Sequence, residues 1–331
     1  MEFDRAKCWF EVEGILDENE TLQGGEWSMS ANRRFLLVAA LVCAPATLSA
    51  QAVDERRVGA YEDGDVAPWP LSSGRTLALF PEGDVYPVYL ADPHRPTNAI
   101  LENFYTRVTI EDSTSVRTTM EVGGRFGLVR WEPKTPGGRS WQISLDAGID
   151  AQFDSNHKLD NVGWDGDYGL TLTTASSGPI GWKLGVLHVS SHLGDEYAER
   201  TGRVRINYTR EEVALGISRR LPHRLRAYAE AGVAYNTRAE DQEPWRVQGG
   251  LEYRGARRLL GDRFAFYAAA DFQSWEERDW RLDTTLQAGI LTTSAGKTWR
   301  LGAEYSDGRV PLGEFFWQSE ARFSLGVWVD F

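Results

Sequence analysis

From about residue 104 onward the chain repeats one pattern: roughly ten residues of strict apolar and polar alternation, then a turn. The stretch "SWQISLDAGIDAQF" (140–153) shows it most cleanly. Trp141, Ile143, Leu145, Ala147, Ile149, Ala151 and Phe153 share one face; Ser140, Gln142, Ser144, Asp146, Asp150 and Gln152 share the other. The same period of two sets Met120, Val122, Phe126 and Leu128 against Glu121 and Arg125. It sets Trp245, Val247, Leu251 and Tyr253 against Arg246, Gln248, Glu252 and Arg254. Such alternation predicts half-buried strands. Twelve are expected, over 104–110, 116–131, 140–153, 167–174, 180–191, 204–219, 225–237, 245–254, 263–274, 280–292, 298–306 and 319–331. The first and fourth are the least regular, so ten or fourteen strands stay open as counts.

Alternating strands suit a soluble sandwich, which buries its apolar face against a second sheet, or a membrane barrel, which turns that face to lipid. Three features favour an all-β, transmembrane antiparallel β-barrel. Strands of about ten residues cross a bilayer when tilted. Aromatics mark strand ends, as Trp141, Trp182, Trp245, Trp280, Trp299 and Phe264 do. The polar face carries both charge signs, which a dry sandwich core would not tolerate and a polar lumen would. Glu121, Arg125, Asp146, Arg226, Glu230, Arg246, Glu252, Asp271, Arg281, Asp283, Arg300 and Glu304 are expected to fill the interior with ion pairs. Twelve strands enclose a modest space, so a plugged barrel is preferred over an open channel. With both termini periplasmic, "EPKTPGG", "SSGP", "LPHR" and "SAGK" fall on the periplasmic side. Residues 154–166, 192–203 and 307–318 then form outer loops.

Composition sharpens this. Hydrophobic residues are 42% of 331, with no run of about 20 apolar residues, so no helix is expected to span a membrane. A net charge of -12, with basic residues interspersed among acidic ones, argues against nucleic acid as a partner. The first 28 residues are acidic and lack an apolar core; they read as a start-site artefact or a disordered extension. Met29 then opens "MSANRRFLLVAALVCAPATLSAQA" (29–52), with basic Arg33 and Arg34, an apolar core from Phe35 to Ala44, and the cleavage pattern Ala50-Gln51-Ala52. This is a secretory signal peptide by pattern, directing export to the bacterial outer membrane. Cys8 and Cys43 both precede the mature chain, which leaves no disulfide or thiolate site to consider. Val42 before Cys43 speaks against a lipoprotein anchor. Residues 53–103 are proline-spotted and non-repetitive and read as an irregular periplasmic lead-in, with the barrel itself at 104–331.

Candidate chemistry concentrates in "GVLHVSSHLGDEY" (185–197). Trp182, Leu184 and Val186 continue in register to His188 and Ser190, which places both on the lipid face with Cα atoms about 6.6 Å apart. If the next strand closes tightly, Asn207 comes opposite His188, with Glu211 on the same face. Ser190 would then be a nucleophile, His188 its base, and Asn207 or Glu211 the group that orients the ring. The bland alternative is a polar strand rim that meets lipid headgroups. His188 and His192 cannot share a metal, because four residues along a strand span about 13 Å. Asp195 and Glu196 could offer oxygen ligands to Ca²⁺, although an acidic loop is more often merely solvated, and the chemistry requires no cofactor.

The His-x-Ser arrangement resembles outer-membrane phospholipase A and the lipid A deacylase barrels, over a handful of residues and the barrel type. Resemblance implies a lipid or lipopolysaccharide acyl ester as substrate. Over most of its mature length the chain also resembles a bacterial outer-membrane family known as domain of unknown function 1207. The resembling segments are "FPEGDVYPVYLADPHRP", "HVSSHLGDEY", "INYTREE" and "GRVPLGEFF". That resemblance implies the barrel and the export route and brings no established activity. The final aromatic strand, ending in Phe331, resembles the signal read by the barrel-assembly machinery. Two functions follow as expectations: a lipid acyl-ester hydrolase using His188, Ser190 and Asn207, or a non-enzymatic plugged barrel or narrow channel with a structural or surface role.

Overall fold

A computed structural model describes residues 77–330, apart from 82, 133–137, 176–177 and 295–296. The extension 1–28, the signal pattern 29–52, both cysteines and Phe331 lie outside the described residues. A three-residue strand β1 (Leu77–Leu79) comes first. Twelve long strands follow: β2 (Asn98–Arg107), β3 (Val116–Trp131), β4 (Ser140–Asp154), β5 (Asp160–Ala175), β6 (Ile180–Leu193) and β7 (Thr209–Leu221). The second half comprises β8 (Leu225–Thr237), β9 (Trp245–Leu259), β10 (Phe264–Trp275), β11 (Leu282–Ser294), β12 (Lys297–Arg309) and β13 (Ser319–Asp330). Each pairs antiparallel with its sequence neighbour, and β13 pairs with β2, which closes a twelve-stranded barrel. Closure removes every sheet edge among the long strands. No helix among the described residues is long and apolar enough to cross a membrane.

The alternation read from the sequence sorts the two faces as expected. Met120, Val122, Ile143, Leu145, Leu184, Val186, Leu215, Leu301 and Leu325 are exposed on the outside. Such a continuous apolar belt on a folded protein needs an apolar surrounding. Exposed Trp131, Trp141, Trp182 and Trp299 ring the end of the short turns, and Trp245, Trp280 and Trp317 the end of the longer loops. The inside is charged and buried: Asp146, Glu230, Arg246, Glu252, Asp271, Arg300 and Glu304 are all nearly inaccessible. Arg281 departs from the expectation, since it precedes β11 in the loop and is exposed.

Strand limits also moved. The first barrel strand begins at Asn98, not at residue 104, so the end of the expected lead-in is part of the wall. Its inward residues Ala99 and Leu101 are apolar because they pack on Trp328, and two apolar faces conceal the alternation. The fourth expected strand starts seven residues early, at Asp160, and the sixth starts late, at Thr209.

Between β1 and β2 the chain leaves the wall. β1 pairs with the same side of β3 that β2 uses further along, Leu79 opposite Val129 and Ala99 opposite Glu121. The intervening segment crosses the lumen, where Tyr86, Tyr89, Leu90 and Ala91 are buried. Four prolines (81, 87, 93 and 96) reduce the backbone N–H groups that must find acceptors there. Carbonyls are taken by arginines of the wall: Arg130 donates to Gly83 (2.6 Å), Arg226 to Pro87 (2.7 Å) and Arg125 to Tyr86 (3.1 Å). Glu252 accepts from the Leu90 N–H at 2.6 Å, and the Tyr89 hydroxyl donates to Glu230 at 3.0 Å. The Tyr89 ring lies flat on Tyr228, centroids 3.8 Å apart. Glycine at 216 makes this fit possible, since a Cβ there would stand 2.8 Å from the Tyr89 hydroxyl oxygen. The expected plug is therefore present, and it is the chain's own leading segment.

At the loop end, a seven-residue helix α1 (Asp195–Thr201) and the β12–β13 connection fold inward. Tyr197, Val310, Leu312 and Phe315 pack there on Ile110, Val162 and Leu193 as a small apolar cluster.

Candidate functional site

Strand β6 presents "HVSSHL" with alternating fates. His188 and Ser190 keep the parity of exposed Trp182, Leu184 and Val186, so both stand on the outer face. Directly across on β5 are Tyr168, opposite His188, and Gly166, opposite Ser190. The imidazole stacks on Tyr168 with centroids 4.5 Å apart. Gly166 offers no side chain to cover the serine hydroxyl. Across on β7, His188 faces Glu211, and its Nδ1 lies 3.6 Å from Glu211 Oε1. That is an ion-pair separation rather than a hydrogen bond. No hydrogen bond joins His188 to Ser190.

Asn207 is not where the sequence reading put it. It lies two residues before β7 begins, with a backbone φ of 55°. Asparagine tolerates that left-handed conformation better than most residues. Pairing of Val186 with Val213, Leu184 with Leu215 and Trp182 with Ile217 sets the β6–β7 register. The connection is longer than a tight hairpin because it contains α1, and the register consequently slides by four residues. An even slide leaves every side chain on its face, so parity alone could not detect it. Counting across from the matched apolar pairs favours Glu211, the second of the two orienting candidates, over Asn207.

The alternate residues of the same stretch are structural. Ser191 faces inward and donates to Asp165. Asp165 also accepts from the Gly313 N–H at 2.9 Å, while the Glu314 N–H donates to Ser191 Oγ at 2.9 Å. Glu314 is itself buried and accepts from the Ile206 N–H at 3.0 Å. This lock ties "HVSSHLGDEY" to "GRVPLGEFF". Above it, Tyr208 accepts from Arg309 at 3.0 Å, and burial pushes its phenol up to about 12, so it stays neutral. His192 lies on the outer parity, stacked on Trp164 at 4.0 Å with Arg205 2.6 Å from its Nδ1. Each histidine thus has its own aromatic partner. Asp195 and Glu196 open helix α1 and are exposed. Among the described residues no three His, Cys, Asp or Glu side chains come together in a group that could hold a metal.

Fold and surface together define a closed, outer-membrane-type β-barrel with a polar, self-plugged lumen. The chain belongs to the family described as "Protein of unknown function (DUF1207)", whose model matches residues 73–331. Among solved structures, outer membrane phospholipase A from Escherichia coli is 12% identical, with a TM-score of 0.48 over 71% of this chain and 92% of that one. The NanC porin is 13% identical, at 0.39 over 70% and 98%. The KdgM porin is 8% identical, at 0.34 over 71% and 99%. No curated protein matches the chain.

Proposed function

We propose that this barrel resides in the bacterial outer membrane and hydrolyses acyl esters of lipid on its outer face. One observation carries the reading: Ser190, His188 and Glu211 occupy the outward face of two paired strands, with Glu211 beside His188 Nδ1. A carboxylate at Nδ1 holds the ring in the tautomer that leaves Nε2 to accept a proton. In the proposed reaction the Ser190 hydroxyl attacks the ester carbonyl as its proton passes to His188. The alcohol leaves with that proton, and water then releases the fatty acid from the serine. Of the two orienting candidates, Asn207 and Glu211, the role falls to Glu211. A substrate embedded in the surrounding lipid reaches this face without entering the barrel, which fits a lumen occupied by protein.

The test is acyl release from phospholipid and from lipopolysaccharide by the folded protein in mixed micelles. Ser190→Ala is expected to reduce release to background, and Glu211→Gln to slow it by about a hundredfold or more. Hydrolysis unchanged by Ser190→Ala ends this reading and leaves the barrel a non-enzymatic one.

A further inference from the structure

The plug does not fill the lumen. Between it and the wall remains a partly open cavity of about 120 Å³. That is room for a few waters or one small solute. Its lining is chemically uneven. Nearly all the charged groups around it are engaged with one another: Arg125 with Asp146, Lys183 and Arg246 with Glu230, Arg210 with Glu212.

Besides Arg95 Nη2, which has no hydrogen-bond partner, two places stand out. On β5, Asp167 lines the cavity with no ion pair and no hydrogen bond from another residue. Gly148 makes room for it, because a Cβ there would stand 2.7 Å from Asp167 Oδ1. Asp165, two residues away on the same face, is already held by Ser191 and Gly313. Asp167 is thus a carboxylate in want of a cation.

The opposite wall, on β10 and β12, has unused donors. Trp275 is 6% exposed and Arg309 is 8% exposed. Both line the cavity, and Trp275 Nε1 and Arg309 Nε have no hydrogen-bond partner. The Arg309 guanidinium sits 4.6 Å from the centroid of the Trp275 ring, with Arg210 at 5.2 Å and Arg246 at 5.6 Å. Buried donors of this kind normally find an acceptor. Arg309 and Arg210 also face the Glu277 carboxylate, at 3.5 and 3.8 Å, so the charge here is largely balanced. The free guanidinium N–H still bonds a carboxylate more strongly than a neutral acceptor.

We propose that the lumen holds a binding site for a small zwitterion of the amino-acid class, its ammonium group held by Asp167 and its carboxylate by Trp275 Nε1 and Arg309 Nε. One ligand satisfies both leftovers at once, which neither a simple anion nor a simple cation does. The size of the cavity limits it to a short side chain. The site lies inside the barrel and is independent of the outer-face chemistry.

Isothermal titration calorimetry on the full-length protein folded in detergent tests this, with L-alanine as the probe and acetate and methylammonium as its two halves. L-alanine is expected to bind at least tenfold more tightly than either half. Asp167→Asn and Trp275→Phe should each weaken it at least tenfold while the barrel keeps its heat-dependent gel mobility. Should Trp275→Phe fail to fold, the near-isosteric Asp167→Asn decides alone. Three results overturn the proposal: no binding of alanine, serine or proline; acetate binding as tightly as alanine (an adventitious anion only); or Asp167→Asn binding alanine like the unaltered protein.

Discussion

The two faces of strand β6 meet opposite demands within one residue of each other. Lys183 and Ser191 turn inward to buried charged partners, Glu230 and Asp165, and their neighbours are fixed by ion pairs and by the plug. Leu184, Val186, His188 and Ser190 turn outward, where apolar bulk is the norm and two polar side chains stand out. The interior takes its order largely from charge pairing, and most polar residues there are structural. On the outside His188 meets only a stacked Tyr168 and a carboxylate at 3.6 Å, and that face invites a functional reading.

The plug offers the sharpest way to break this contrast. Replacing residues 83–95 with a short Gly/Ser linker should open a water path, giving steady unitary conductance in planar bilayers where the intact protein gives none. If the intact barrel conducts as well, the plug is not a seal.

Single substitutions on the two faces should then separate by mechanism. Arg226→Met leaves Glu252 without its 3.0 Å partner and frees the Pro87 and Val88 carbonyls. The expected loss is about 3–5 kcal/mol, read by urea unfolding on gels, because an uncompensated charge stays buried. Leu184→Arg on the lipid side should cost less, about 2–4 kcal/mol, and only in a bilayer. An equal loss in detergent would mean that Leu184 faces protein.

The smallest effect tests Asn207. Its φ of 55° predicts that Asn207→Gly is close to neutral and Asn207→Val costs about 1–2 kcal/mol. Neither should slow acyl release at the outer face. A specific loss of hydrolysis in folded Asn207→Gly would restore the residue to the site in place of Glu211.

Period-two alternation pointed to the barrel, with twelve strands expected and ten or fourteen left open, and gave the face of almost every residue, including His188 and Ser190. The physical reason is local: a pleated strand sends successive side chains to opposite sides, so each residue carries its own face assignment. Register is a relation between two strands. It slid by four residues between β6 and β7, bringing Glu211 opposite His188 without disturbing the alternation. The plug was harder to read still, because "FPEGDVYPVYLADPHRP" has no period at all; its conformation follows from arginine and glutamate side chains far along the chain. The same holds for Asp167 on β5 and Trp275 on β10, 108 residues apart in the chain, which share a cavity only once the barrel closes. Sequence determined which way each side chain looks, because that is settled within a strand. Closure and the packing of the plug decided what each one meets, because those contacts join residues that the chain itself keeps far apart.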